Sequence, residues 1–173
     1  MPDLTRHLPP QRIIDLANPA VRALAQSPLH GAVDKALIVL HIVGRKTGRG
    51  YDIPVGYVDL DGHFIVVTQH RWRANTRGGA DVDVTFRGRR RRMHCVLDED
   101  PRSVVRTIQQ VADRLGPKAM QRLTGLKTPD GTEPSFDQLE EAVRAFDLAT
   151  LTLSPAFVPR DSRSDAPGAP IRS

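Results

Sequence analysis

Between Lys35 and Leu97 the chain alternates short β-rich runs with tight turns, and no helix separates the early strands; the polar, arginine-rich residues 69–79 around Trp72 read as a short helix followed by a Gly78-Gly79 turn. Leu37, Ile38, Val39, Leu40, Ile42 and Val43 form an apolar stretch over Lys35–Val43 that stops at Gly44. Asp52–Leu60 reads as a second strand, with Pro54 near its start or on an edge. Asp61-Gly62 then separates two apolar runs, a hairpin signal that makes His63–Thr68 the return strand. Val82, Val84 and Phe86 alternate with polar residues, Gly88 turns the chain, and Arg90–Leu97 runs back. In that last strand Arg91, Met93, Cys95 and Leu97 share one face, and Arg92, His94 and Val96 the other. Parallel strands need crossover connections of a dozen or more residues, so strands this close together are antiparallel. A parallel nucleotide-binding sheet is excluded, and an antiparallel barrel or sandwich remains.

The period changes on either side of this block. Ile13, Ile14, Leu16, Val21, Leu24 and Ala25 recur at helical spacing over Gln11–Gln26, interrupted at Asn18-Pro19. From Pro101, the residues Val104, Val105, Ile108, Val111, Ala112 and Leu115 predict a helix closed by Gly116. Pro117–Leu126 predicts a shorter helix, and Thr128–Pro134 a loop. Ser135 with Gln138 forms a capping box opening a helix to Phe146, and Leu148–Leu153 reads as a late strand. Residues 1–10 are expected to be a flexible arm, 11–154 one domain with extra helices over 101–146, and 155–173 a disordered tail.

The chain has 173 residues and a net charge of +5, from 25 Lys+Arg against 20 Asp+Glu. Its single cysteine, Cys95, excludes an internal disulfide and reads as a buried, inert thiol. The longest apolar run, Ala36–Leu40, is far short of the ~20 residues a membrane span needs, and no export signal is read, so a cytoplasmic protein is expected. The six histidines show no metal-ligand spacing, which predicts no metal site. An excess of five charges, the scarcity of stacking aromatics and the lack of any recognition motif predict no nucleic-acid partner. What matters is where the cations sit: at residues 45–49, at 71–77 and at 87–92.

The segment Gly44-Arg45-Lys46-Thr47-Gly48-Arg49-Gly50 combines backbone freedom, one hydroxyl and three cations between two strands. That is the chemistry of a phosphate or carboxylate cradle. A solvated basic hairpin turn has the same composition. A P-loop would need glycines at the positions of Leu40 and Arg45, and the glycine spacing is not that of a dinucleotide fingerprint. In Arg71-Trp72-Arg73-Ala74-Asn75 the lone tryptophan sits beside cations, able either to wall an aromatic ligand or to plug a barrel end. His70, at a strand end, is a candidate proton donor or a solvent-facing loop histidine. Arg89–Arg92 alternate faces in a strand and could meet a coenzyme tail, an anionic membrane or a second subunit.

Leu40–Val55, the following hairpin, Trp72-x-x-Asn75 and Val82-Asp83-Val84 together resemble the deazaflavin-dependent nitroreductase and quinone reductase family of actinobacteria. The resemblance covers roughly residues 20–98, with the late strand fitting the family's last. It implies a split β-barrel, with the N-terminal and C-terminal helices packed on it and a homodimer as its assembly. It also implies coenzyme F-420, an 8-hydroxy-5-deazaflavin, as hydride donor to a small nitro, quinone or enone acceptor. On that resemblance Arg45, Lys46 and Thr47, with Gly48 and Arg49, hold the coenzyme phosphate and nearby chain. Pro54 and Val55 lie under the ring, Thr68 offers a polar contact, and Trp72, Arg73 and Asn75 close the pocket. Tyr51 stands where the family often has a second phosphate-binding arginine, and no tyrosine follows Tyr57. These departures keep open FMN or heme as the cofactor, or a non-catalytic protein for lipids or another small ligand. Peripheral membrane association is compatible with either.

Overall fold

The structure, a computed structural model, describes residues 4–6, 37–127 and 132–156. The helices expected over 11–26 and the tail from 157 lie outside the described residues. Strands β2 (Leu37–Val43), β3 (Gly50–Gly56), β4 (Val58–Leu60), β5 (His63–Thr68), β6 (Ala80–Phe86), β7 (Arg89–Asp98) and β9 (Ala149–Pro155) form one antiparallel sheet in the order β3-β2-β6-β7-β9-β5-β4.

That order carries the architecture. β3 and β4 occupy opposite edges of the sheet, yet only Tyr57 separates them in the chain. One residue spans a few ångströms, so the two edges must come together and the sheet curls into a split barrel. The sequence reading took Asp52–Leu60 as one strand. It is one extended run that leaves the β2 edge, crosses the split at Tyr57 and joins the β5 edge. Alternation along each strand then divides the side chains. Ile38, Leu40, Ile42, Phe64, Val66, Val82, Val84, Met93, Cys95, Leu151 and Leu153 fill the barrel, with Ile53 and Val55 packed against them. Burying each of the larger aliphatic side chains contributes about 1.5–3 kcal/mol.

A second core lies on the outside, under three helices: α1 (Pro101–Leu115), α2 (Pro117–Thr124) and α3 (Phe136–Ala145). Val104, Val105, Ile108 and Val111 of α1 and Leu139 and Val143 of α3 pack with Val58 of β4 and Ile65 of β5. The local signals act as the sequence predicts. Asp100 accepts the Ser103 N–H at 2.9 Å with Pro101 in the first turn, and Ser135 and Gln138 make both bonds of the capping box. Gly125, in the left-handed region at φ 71°, ends α2 two residues before the expected Leu126. Leu126 instead starts a two-residue strand, β8 (Leu126–Lys127), paired with β1 (Thr5–Arg6). Part of the expected N-terminal arm is therefore a strand. Asp61 and Gly62 both take positive φ (53° and 84°), the primed hairpin turn their sequence predicts. Arg114 of α1 clamps that turn through two bonds to Asp61, at 2.8 and 2.7 Å. Among the described residues no helix is long and apolar enough to cross a membrane.

Candidate functional site

The antiparallel order sets the β2–β3 loop and the turn between β5 and β6 at the same end of the barrel. The turn contains a 3-10 helix, Arg71–Thr76. The loop folds on itself: the Gly48 N–H donates to the Gly44 carbonyl and the Gly44 N–H to the Arg49 carbonyl, each at 2.8 Å. The Arg49 N–H donates to Thr47 Oγ1 at 3.3 Å. Gly44 is closely packed, since a Cβ there would lie 3.0 Å from Thr47 Oγ1 and 3.1 Å from the Tyr51 ring and would push both side chains aside by a few tenths of an ångström. Gly48 is required by its φ of 67°.

One side chain ties the loop to the tryptophan turn. The Arg45 N–H donates to Asn75 Oδ1 at 3.0 Å, and Asn75 Nδ2 donates back to the Trp72 carbonyl at 2.9 Å. The glycine loop and Trp72-x-x-Asn75, thirty residues apart in the chain, thus meet in space. Arg45 reinforces the contact by donating from Nη1 to the Arg77 carbonyl at 3.0 Å. Lys46 is exposed and pairs with no group among the described residues. The Arg49 guanidinium lies 5.8 Å from the centre of the exposed Tyr51 ring. Trp72 packs against the barrel core and so plugs this end, with its indole Nε1 buried and without a hydrogen-bond partner.

The remaining expected site residues are placed differently. Alternation turns Val55 toward the barrel interior and Pro54 to the other face of the edge strand β3, so the two do not share a face. Thr68 is buried, and its Oγ1 accepts the His70 N–H at 3.1 Å, bending the chain into the 3-10 helix. His70 sits just before that helix. Arg73 is committed inside the protein through all three guanidinium nitrogens: to Glu99 at 3.0 Å, to the Asp147 carbonyl at 2.8 Å and to Asp147 Oδ1 at 2.8 Å. Arg77 grips the same Glu99 at 2.8 and 2.9 Å. The Arg77 hydrogen bond, helped by Arg73, holds the Glu99 carboxyl down at about 2 against a partial desolvation cost.

Neither Glu99 nor Asp147 stands out in the sequence. Glu99 lies in an acidic run after β7, and Asp147 follows α3 in the left-handed region (φ 51°), 74 residues from Arg73. Burial pushes the Cys95 thiol up to about 11, only partly offset by its hydrogen bond with Thr76, so it is no nucleophile near neutral pH. On the outer sheet face, His41 lies between Asp52 (Nδ1 to Oδ1, 2.7 Å) and Thr85 (Nε2 to Oγ1, 2.8 Å). The row resembles a hydrolase triad only in its order, because backbone N–H groups within a paired strand are drawn into the sheet ladder. Among the described residues no three potential metal ligands cluster.

Among the described residues the accessible donors at the loop end therefore include the free Lys46 ammonium and the Arg49 guanidinium beside the Tyr51 ring, while the unpartnered indole N–H is buried. Side-chain cations would carry an anion there, since several loop amides are already bonded. No family model and no curated protein matches the chain. Among solved structures, the chain is similar to HutZ, the heme storage protein from Vibrio cholerae, at 15% identity over 82% of this chain and 91% of that one, with a TM-score of 0.41.

Proposed function

We propose that the barrel end formed by residues 44–51 and 70–77 binds a phosphate-bearing cofactor, that this cofactor is coenzyme F-420, and that the protein is an oxidoreductase for a small nitro, quinone or enone acceptor. The observation that carries the reading is the Arg45–Asn75–Trp72 linkage, which joins the two motifs of the family resemblance in one place while leaving Lys46 unpaired. Lys46 and Arg49 supply charge for the phosphate, and a hydrogen bond to an ionised partner contributes about 1.5–3 kcal/mol. Trp72 supplies an apolar wall at this end of the barrel. Arg73, Thr68 and Asn75 position the 3-10 helix and do not hold the ligand themselves. When bound, the reduced deazaflavin supplies the hydride.

Trp72 is the only tryptophan, so its fluorescence reports directly on this end of the barrel. Titration with F-420, FMN and heme side by side is expected to give saturable quenching with F-420 at micromolar concentration, weakened about tenfold or more by Lys46→Ala. Saturation by FMN or heme but not F-420 reassigns the cofactor. Equal binding by Lys46→Ala removes the loop from the site. Turnover is tested by mixing the protein with reduced F-420 and a small quinone or nitroarene and following coenzyme oxidation. Tight binding without oxidation leaves a non-catalytic ligand-binding protein.

A further inference from the structure

At the opposite end of the barrel, β6 and β7 project as a hairpin whose turn, Arg87-Gly88, takes positive φ at both residues (49° and 70°). Its last strand begins Arg89-Arg90-Arg91-Arg92, so five guanidiniums crowd one ribbon tip, and all five side chains are exposed. Their partners divide by face. Arg90 and Arg92, on the outer face, share a single carboxylate, Asp83, each at 3.2 Å. Arg87, Arg89 and Arg91 pair with no acid among the described residues. Arg87 and Arg91 instead lie over the Phe86 ring, 4.9 and 5.6 Å from its centre. Phe86 is in turn wedged against Tyr57 and Phe64, with ring centres 5.7 and 4.9 Å away. A guanidinium lying on a ring is held in place while its N–H edge stays free for an anion.

We propose that this hairpin is a second anion-binding surface, separate from the loop end, and that it docks on the phosphate backbone of a nucleic-acid duplex without reading base sequence. Three observations select that partner. The cations stand on both faces of a two-stranded ribbon, which suits a groove walled by phosphates on two sides better than a plane; a major groove about 12 Å wide admits such a ribbon. No large apolar side chain is exposed on residues 86–92, so the tip has no anchor to insert into a bilayer, where charge alone contributes only about 1 kcal/mol per arginine. Phe86 is half-buried beneath two guanidiniums, so no ring is open for stacking on single-stranded bases. The expectation of no nucleic-acid partner rested on a small net charge, scarce stacking aromatics and missing recognition motifs. Aromatics and motifs bear on base stacking and base reading, and net charge averages over the whole surface, whereas phosphate contact needs only clustered cations.

The test is anisotropy of a labelled mixed-sequence DNA duplex titrated with the full chain over a series of salt concentrations. Binding is expected on the order of 10 micromolar at low salt, falling steeply as salt rises. Combined Arg87→Ala, Arg89→Ala and Arg91→Ala is expected to reduce the slope of log Kobs against log salt by about 2.7, about 0.9 per lost contact. Arg106→Ala, an exposed arginine on α1, is expected to leave it unchanged. Should the triple variant lose its fold by circular dichroism, Arg89→Ala alone carries the test with an expected drop of about 0.9. Absence of salt-dependent binding overturns the proposal, as does a slope that the hairpin substitutions do not move. Tighter binding to phosphatidylserine vesicles, uncontested by duplex, overturns it in favour of a membrane.

Discussion

The two ends of the barrel are both rich in arginine, but they use it in opposite ways. At the loop end, Arg45, Arg73 and Arg77 are absorbed into the protein. Arg45 binds the Arg77 carbonyl, Arg77 and Arg73 close on Glu99, and Arg73 reaches on to Asp147. This chain of contacts ties the β2–β3 loop, the 3-10 helix, the start of α1 and the turn before β9 into one unit. Among the described residues, the cations left loose there lie at its rim, such as Lys46. At the hairpin end, among the described residues, five guanidiniums face one acid, and three pair with none. For Arg73 the physical difference lies in burial, whereas Arg77, 58% exposed, is held by its two bonds to Glu99. Arg73 is largely buried and so must be neutralised, whereas the hairpin arginines are solvated and need no partner. An arginine cluster therefore says little about function until its donors are accounted for.

Removing a charge at each end sharpens that contrast. Arg73→Met leaves Glu99 with Arg77 alone and removes both bonds to Asp147, and is expected to destabilise the fold by about 2 kcal/mol, measured by urea unfolding. A loss below about 1 kcal/mol would mean that the network is ornamental. Acid attacks the same network next. Glu99 is held at about 2, below the ordinary carboxylate range, so its contribution is complete above about 4.5 and is lost as pH falls from there toward 2. Allowing for its partial solvent exposure, about 1–2 kcal/mol should disappear over that interval. Glu99→Gln should flatten the stability curve there, and an unchanged curve would refute the assignment.

Asn75→Ala cuts the tie between loop and tryptophan turn at a cost of about 1 kcal/mol. Its sharper readout is Trp72 fluorescence, which should shift without ligand as the two segments separate. Smallest of all, Arg89→Ala should leave stability within about 0.5 kcal/mol of the parent, because its side chain is exposed and pairs with no acid among the described residues. A larger loss would show that the hairpin end is also built on its charges, and the contrast between the two ends would collapse.

Much of the fold was legible in local chemistry. Asp61-Gly62, the capping box of Ser135 and Gln138, Pro101 with Gly116, and the alternation of Met93 and Cys95 against His94 and Val96 each specify structure within a few residues. Where the expectations fell short, the cause was non-local. Nothing in Asp52–Leu60 shows that its two halves pair with strands on opposite edges, since an extended run looks the same on either side of Tyr57. Gly125 is the exception, a local stop: a left-handed glycine halts a helix whatever apolar residue follows. The candidate site divided in the same way. Arg45 to Arg49 and Trp72 with Asn75 could be picked out by composition, but Arg73 looked as available as Lys46. Only Glu99 and Asp147, 26 and 74 residues away, show that it is spent.

By itself the sequence determined the antiparallel strands, their turns, the helical caps and the addresses of the cations, because each depends on backbone preferences and side-chain periods that act over a turn or two. The tertiary structure alone decided that the sheet closes at Tyr57, that the glycine loop meets Asn75, and which arginines remain free. Those outcomes depend on residues brought together by burial of a shared core, and sequence spacing does not encode that proximity.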